Sequence, residues 1–268
     1  MRRAAARERA ADVIGCVVHP DTNEAVKPFF LRMSCIVPAN MMMDLGMITA
    51  RGTVATVAAQ TLNQAYNASH YWANRNCTNS EPPIRAIASF AMAGLSSVGA
   101  ALWFQGRAAA MTGARAVVMR RASPFLAVAS ADVLNLGIMR SNEWVRGIAV
   151  RAGDGTELGS SRRAGAMAVA SCIAARILAA GPVLLSSSFA LEGMDRTAAL
   201  RAGGRFAALR IPLTLGVLGT AIVCSVPLAF AFFQRDASVA VPWLEDEFQG
   251  RTDAAGLPVT TAWYHKGL

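Results

Sequence analysis

Four ionisable residues interrupt long apolar segments of this chain, and they are its first candidates for chemistry. Asp44 and Arg51 lie in one segment, seven positions apart, which puts them on one face of a continuous helix. Asp132 and Arg176 lie near the middles of two other segments, so they could pair across a helical bundle. A charge inside a bilayer costs about 3 kcal/mol or more unless it faces protein or water.

These charges have two interpretations. They could line a path and meet the amino and carboxylate groups of a zwitterionic solute, or they could neutralise each other and fix the register of the helices. Because Arg176 is far from both ends of its segment, its guanidinium has difficulty reaching either membrane surface. We therefore expect Arg176 to face the bundle interior, with a carboxylate such as Asp132 or several backbone carbonyls as its partner.

Uncharged amides form a second group of candidates. Gln60, Asn63, Gln64 and Asn67 continue at helical spacing from the first apolar segment, and Asn135 lies deep in the third. Amides can hydrogen-bond a small polar solute without the desolvation cost of full charges. The same pattern also fits a helix end at the lipid headgroups or, for Asn135, a hydrogen bond between helices.

The sequence carries no recognisable enzyme or metal signature. It contains no Walker A loop, no Gly-x-Ser-x-Gly and no His-Glu-x-x-His. Its five cysteines include no Cys-x-x-Cys pair, and its three histidines are far apart. We expect no enzyme activity, no cofactor and no metal.

The elements that must position these residues are five apolar segments, each close to the roughly 20 residues that a membrane-spanning helix needs. The chain is 54% apolar and has a mean hydropathy of +0.35, which is high for a soluble domain. We predict an all-α integral membrane protein with about five transmembrane helices, at residues 41–62, 87–105, 122–139, 164–191 and 211–234. The predicted division is an extramembrane segment, a membrane domain and an extramembrane tail, at 1–40, 41–234 and 235–268.

Shorter patterns refine this outline. Ser123-Pro124 is typical of a helix start. Residues 148–158 place Gly153-Asp154-Gly155 within an alternation of apolar and polar residues, which predicts a small β-hairpin outside the membrane. Small residues at four-residue spacing allow another helix to approach closely, and such a stripe is formed by Ser89, Ala93, Ser97 and Ala101.

The net charge of +9 bears on possible partners. In a soluble protein this excess would suggest nucleic acid. Here the basic residues lie between the apolar segments, so membrane topology and anionic lipid explain them better. We expect contacts with membrane lipid, such as cardiolipin, and no nucleic-acid partner.

Short polar patches occur in order along the chain. They are His19-Pro20-Asp21-Thr22, Arg32-Met33-Ser34, Val37-Pro38-x-Asn40, Asn63-Gln64-x-x-Asn67, Asn74-Arg75, Asn135-x-x-x-Met139-Arg140-x-x-Glu143 and Lys266-Gly267-Leu268. In this order the patches resemble the sideroflexins, a family of mitochondrial inner-membrane amino-acid carriers whose known substrates include serine. The resemblance runs from about residue 19 to the end of the chain.

The resemblance implies a carrier of a small neutral amino acid, with serine as the leading candidate, that works by alternating access around a polar cavity. The residues that we assign to substrate binding are Asn63, Gln64, Asn67, Asn135, Arg176 and Asp132. The residues that we assign to the family motif are His19, Pro20, Asp21, Thr22 and Asn40. Asp21 and Thr22, which follow Pro20, suit a turn or a helix cap, and His19 and Asp21 could also titrate as a gate.

A second hypothesis is a structural subunit of a larger mitochondrial membrane assembly, such as a respiratory complex, that has kept the carrier fold. It predicts other subunits as partners.

The chain departs from the family pattern at positions that bear on transport. Asp132 replaces an expected Asn, Ser186-Ser187 replaces a Pro pair, and residues 50–54 replace Tyr-Arg-Thr-Thr-Pro.

The location follows from the resemblance and from the charges. Five spans would place the two termini on opposite sides of the mitochondrial inner membrane. Counted on that basis, Lys and Arg number 14 on the N-terminal side and 10 on the other side. Since basic residues accumulate on the inner side of a membrane, we predict that the N-terminus is in the matrix.

Overall fold

The computed structural model describes residues 9–11, 13–19, 22–74, 83–234 and 236–267. The helices of eight or more residues are α1 (Ile36–Thr49), α2 (Gly52–Asn74), α3 (Pro83–Ala109), α4 (Gly113–Met139), α6 (Arg162–Arg196) and α7 (Arg210–Phe232). A shorter helix, α5 (Ser141–Arg146), follows α4. The strands are β1 (Ile148–Arg151), β2 (Glu157–Ser161), β3 (Asp236–Ala240) and β4 (Thr261–His265).

Within the described residues, four helices are long and apolar enough to cross a membrane. They are Pro83–Ala109, Gly113–Met139, Arg162–Arg196 and Ala207–Ala229, the last of which covers most of α7. They correspond to the second to fifth predicted segments. The chain thus has the character of a multi-pass membrane protein.

The first predicted segment, 41–62, is not one helix. α1 ends at Thr49, Ala50 is extended, and Gly52 has a φ of +79°, a conformation that glycine tolerates at little cost. α1 has only 14 residues, about 21 Å of helix, against about 30 Å of hydrocarbon. α2 is long enough to cross a bilayer, but its polar residues keep it out of the four candidate spans. Five transmembrane helices are therefore not confirmed.

α3 and α4 pack through two stripes of small residues. The predicted stripe on α3 is buried along its whole length, and α4 presents a matching one at the same spacing, formed by Ser123, Ala127 and Ala131. The Ser123 Oγ donates to the Ala101 carbonyl at 3.2 Å, so the two backbones lie close together. The expected helix start at Ser123-Pro124 is wrong, because α4 begins at Gly113 and holds Pro124 inside.

The predicted hairpin at 148–158 forms, but it belongs to a larger sheet. β1 and β2 pair antiparallel, and the C-terminal tail adds β4 and β3, so the strand order is β2-β1-β4-β3. Val150, Leu158, Leu244, Phe248 and Tyr264 form the core beneath it. The protein is mostly helical but not all-α, because the hairpin and two strands of the C-terminal tail form one four-stranded sheet.

The sheet marks one end of the bundle, which we call the sheet end. α4 ends there and leads through α5 to β1, α6 begins there directly after β2, and α7 ends there shortly before β3. At the other end, which we call the cavity end, residues 110–112 join α3 to α4 and residues 197–209 join α6 to α7.

Candidate functional site

α2 lies against α3 with its amides turned inward. Gln60, Asn63 and Gln64 are all buried, and Asn67 is half-buried. The Gln60 Oε1 accepts a hydrogen bond from the Ser97 Oγ at 2.6 Å. The four predicted amides therefore belong to one polar face, directed into the bundle rather than at headgroups.

Buried polar atoms without a partner mark further interior positions. Among the described residues they are the His70 Nε2, the Asn135 Oδ1, the Ser188 Oγ and the Ser225 Oγ. A buried acceptor or donor without a partner costs about 1–3 kcal/mol. Asn135, a predicted site residue, thus leaves its carbonyl oxygen available to a solute or a water molecule.

Arg176 pairs with Asp132, but it does not face the bundle interior. Its Nη1 lies 3.5 Å from the Asp132 Oδ1, and its side chain is 56% exposed against 18% for Asp132. The expectation of an interior guanidinium is wrong, because Arg176 lies on the flank of α6 and its long side chain reaches across to α4. The pair joins α6 to α4, with the guanidinium on the exposed side.

The other predicted charge pair is separated by the break between α1 and α2. Asp44 is half-buried on α1, whereas Arg51 lies beyond the end of that helix, so the two do not share a helical face. The Arg51 Nη2 instead lies 3.6 Å from the Asp195 Oδ2 at the cavity end.

A cavity of about 540 Å³ opens at this end of the bundle, and we call it the charged cavity. Met47, Ile48 and Pro124 form apolar parts of its wall, while Gln105 and Ser188 are uncharged polar groups that line it. The remaining polar wall is ionic, formed by Arg51, Arg120, Arg121, Glu192, Asp195 and Arg201. Sequence reasoning missed this site, because most of these charges fall at or beyond the edges of the apolar segments.

A network of ion pairs crosses the charged cavity. Arg121 donates to the Glu192 Oε2 at 3.0 Å and to the Asp195 Oδ2 at 2.9 Å. Arg210 approaches the Asp195 Oδ1 at 2.6 Å. Both arginines are largely buried, so the network fastens α4, α6 and α7 together.

The terminal patches of the sequence meet at the sheet end. Arg140 binds both carboxylate oxygens of Glu143, at 2.6 and 2.5 Å, and it also donates to the Lys266 carbonyl at 2.6 Å. Asn74 donates to the Leu31 carbonyl at 2.8 Å, which joins the Asn74-Arg75 patch to the residue before the Arg32-Met33-Ser34 patch. These patches act as clamps between distant parts of the chain.

The motif residues nearest the N-terminus occupy a turn and a helix. His19 is buried, and its backbone carbonyl accepts from the Asn23 amide at 2.9 Å, while the Thr22 hydroxyl accepts from the Glu24 amide at 3.4 Å. Asn40 donates to the Ile36 carbonyl within α1 at 2.7 Å. The other motif residues, Pro20 and Asp21, lie outside the described residues.

Comparisons with known proteins show which family the chain belongs to. The chain is 31% identical over 266 residues to a sideroflexin of Dictyostelium discoideum, covering 97% of this chain and 79% of that protein. It is 33% identical over 257 residues to human sideroflexin-5, covering 94% and 73%. It is 31% identical over 261 residues to mouse sideroflexin-1, covering 97% and 79%. No solved structure shows significant similarity. A sequence profile described as Sideroflexins matches residues 5–268, and the chain therefore belongs to the sideroflexin family.

Proposed function

We propose that this protein carries a small neutral amino acid, with serine as the leading candidate, across the mitochondrial inner membrane. The observation that carries the proposal is the buried amide face of α2, formed by Gln60, Asn63 and Gln64 beside the apolar helix α3. A purely structural helix in this position would be served as well by apolar residues, without the cost of burying amides.

The chemistry of this face suits an uncharged polar side chain such as that of serine. Amides both donate and accept, so they can bind a hydroxyl in either orientation. Asn135 on α4 contributes a further open acceptor. The break at Ala50 and Arg51 gives a place where α1 can move relative to α2 without distortion of either helix, as alternating access requires.

Uptake into liposomes tests the proposal. Purified full-length protein is reconstituted, and uptake of labelled L-serine is compared with protein-free vesicles. Asn63→Leu and Gln64→Leu nearly keep the side-chain volume but remove the amide, so each should lower uptake about tenfold, the effect of a lost hydrogen bond of about 1.4 kcal/mol.

Thr61→Val, on the exposed side of α2, is the matched control and should leave uptake unchanged. If folded wild-type protein gives no uptake above empty vesicles, the proposal fails. Import into isolated mitochondria followed by separation of the two membranes tests the proposed location.

A further inference from the structure

We propose that the charged cavity binds the free carboxylate of the transported amino acid before the solute reaches the amide face of α2. The inference rests on the proposed carrier function and adds a requirement for the substrate, namely an ionised carboxylate. The site is separate from the amide face but adjoins it.

The two carboxylates of the cavity are already neutralised by buried partners. Arg121 is hydrogen-bonded to both Glu192 and Asp195, and Arg210 holds the second oxygen of Asp195. These short contacts occupy the acidic groups, so the acids leave little negative charge to repel an anion.

The remaining arginines supply an excess of positive charge. Arg51 and Arg120 are 79% and 57% exposed, and they stand 3.6 and 3.9 Å from the nearest carboxylate oxygens. Arg201 also lines the cavity. Exposed pairs at such distances contribute little to stability, so these guanidinium groups can bind an incoming carboxylate without breaking the buried network.

Ser188 points to a ligand independently of the charges. It is 1% exposed and lines the cavity, yet its Oγ has no hydrogen-bond partner. The neighbouring Ser187 shows the usual alternative, since its hydroxyl donates to the Val183 carbonyl at 2.8 Å. Buried hydroxyls are nearly always hydrogen-bonded, and a solute in the cavity would supply the missing partner.

A hydrogen bond from Gln105 to Thr56 links the wall of the cavity to the polar face of α2. Gln105 lines the cavity and donates to the Thr56 Oγ1 at 2.8 Å. Thr56 and Gln60 are buried one turn apart on α2, and the buried amides Asn63 and Gln64 follow. A solute that leaves the arginines therefore meets hydrogen-bonding groups at each further turn.

The test compares L-serine with L-serinamide, which has the same frame without the carboxylate. Binding to purified protein in detergent is measured by thermal stabilisation, and serine uptake is measured in liposomes. The double variant Arg51→Gln, Arg120→Gln should raise the Kd and the KM for serine about tenfold. Thermal stabilisation of the double variant by serinamide should equal that of the wild-type protein.

Two further variants serve as a control for charge and as a second test of the site. Arg115→Gln removes a charge from the same end of α4 outside the cavity and should change neither constant. Ser188→Ala removes only a buried hydroxyl, so it should fold and should weaken serine binding even if the double variant fails to fold.

The outcomes separate the two proposals. Wild-type uptake with unchanged serine constants in the arginine and Ser188 variants overturns the carboxylate site and leaves the carrier function standing. Arginine-dependent serine binding without uptake supports the site and contradicts transport. Thermal stabilisation of the protein by cardiolipin vesicles is measured in the same way. If the arginine variants change this stabilisation and leave the serine constants unchanged, the occupant of the cavity is a lipid phosphate and the inference is overturned.

Discussion

At the residue scale, Gly165 of α6 allows α5 to lie close to α6. A Cβ built on Gly165 would collide with the Glu143 carbonyl oxygen of α5. The same α5 residue binds Arg140, which in turn holds Lys266 of the tail. The position of α5 against α6 thus determines how two of the sequence patches meet.

Gly165→Ala should destabilise the protein, because the added methyl group must push α5 away from α6. Overpacking of this kind costs about 1–3 kcal/mol, which should appear as a lower melting temperature of the full-length protein in detergent. Gly193→Ala is the control on the same helix, since a Cβ there meets nothing within 4 Å. An unchanged melting temperature for Gly165→Ala would contradict the close approach of α5 and α6.

At the element scale, the C-terminal tail caps a membrane helix. The Glu245 Oε1 accepts from the backbone amides of Arg162 and Arg163 at 2.8 and 2.9 Å, at the first turn of α6. Its Oε2 accepts from the Ser161 Oγ at 2.6 Å, while that hydroxyl accepts from the Ala164 amide. A carboxylate is favoured at a helix N-terminus, where the amides have no partners within the helix.

Glu245→Gln should therefore loosen the tail from α6, at a cost of about 1 kcal/mol, which is typical for the loss of a capping group. Hydrogen exchange of the amides of β3 and β4 should become faster. Glu247→Gln, an exposed neighbour, should leave exchange unchanged. If the exchange rates of the two variants are equal, the cap does not hold the tail.

The same cap should respond to acid. Burial acts to raise the pKa of the Glu245 carboxyl, but the hydrogen bonds from Ser161 and from two backbone amides outweigh it and hold the pKa below its ordinary value of 4.5. A lowered folded-state pKa stabilises the protein above the unfolded-state pKa, and this contribution is lost as the pH falls from 4.5 towards the folded-state value. The protection factors of the wild-type tail amides, which correct for the intrinsic pH dependence of exchange, should fall over that range, and Glu245→Gln should remove this component.

The elements differ in how far the sequence could predict them. Four spans follow from apolar runs of about 20 residues. The start of α4 was missed because Arg115, Arg120 and Arg121 continue the helix beyond the apolar run. The charged cavity could not be predicted, since Arg121 lies 71 and 74 positions from Glu192 and Asp195 and no local pattern joins them.

At the scale of the whole molecule, the described parts of both terminal segments lie at the sheet end. Val26 and Leu31 pack against Tyr66, and Asn74 holds the Leu31 carbonyl at the end of α2 that adjoins the start of α3. The C-terminal strand β4 pairs with β1 at the same end, and β3 pairs with β4. The prediction of termini on opposite sides assumed that 41–62 was one span, so the division of basic residues that placed the N-terminus in the matrix loses its basis.

We therefore predict that both termini are on the same side of the membrane. From Leu31 the chain passes along α1 to the cavity end, where Arg51 lies beside Asp195, and α2 returns it to Asn74. Four further spans return it to the sheet end again. With the proposed location in the mitochondrial inner membrane, short tags at the N- and C-termini should then behave alike. Either both are digested by protease in intact mitoplasts, or both are digested only after the membrane is dissolved.

A single cysteine at Thr112, in the loop between α3 and α4 at the cavity end, supplies the control. In a chain whose other exposed cysteines are replaced by serine, it should react with an impermeant maleimide in intact mitoplasts if both tags are protected there. If both tags are digested in intact mitoplasts, it should react only after the membrane is dissolved. Tags digested under opposite conditions would show an odd number of crossings. That result would mean that α1 and α2 do not together return the chain to the side from which it entered.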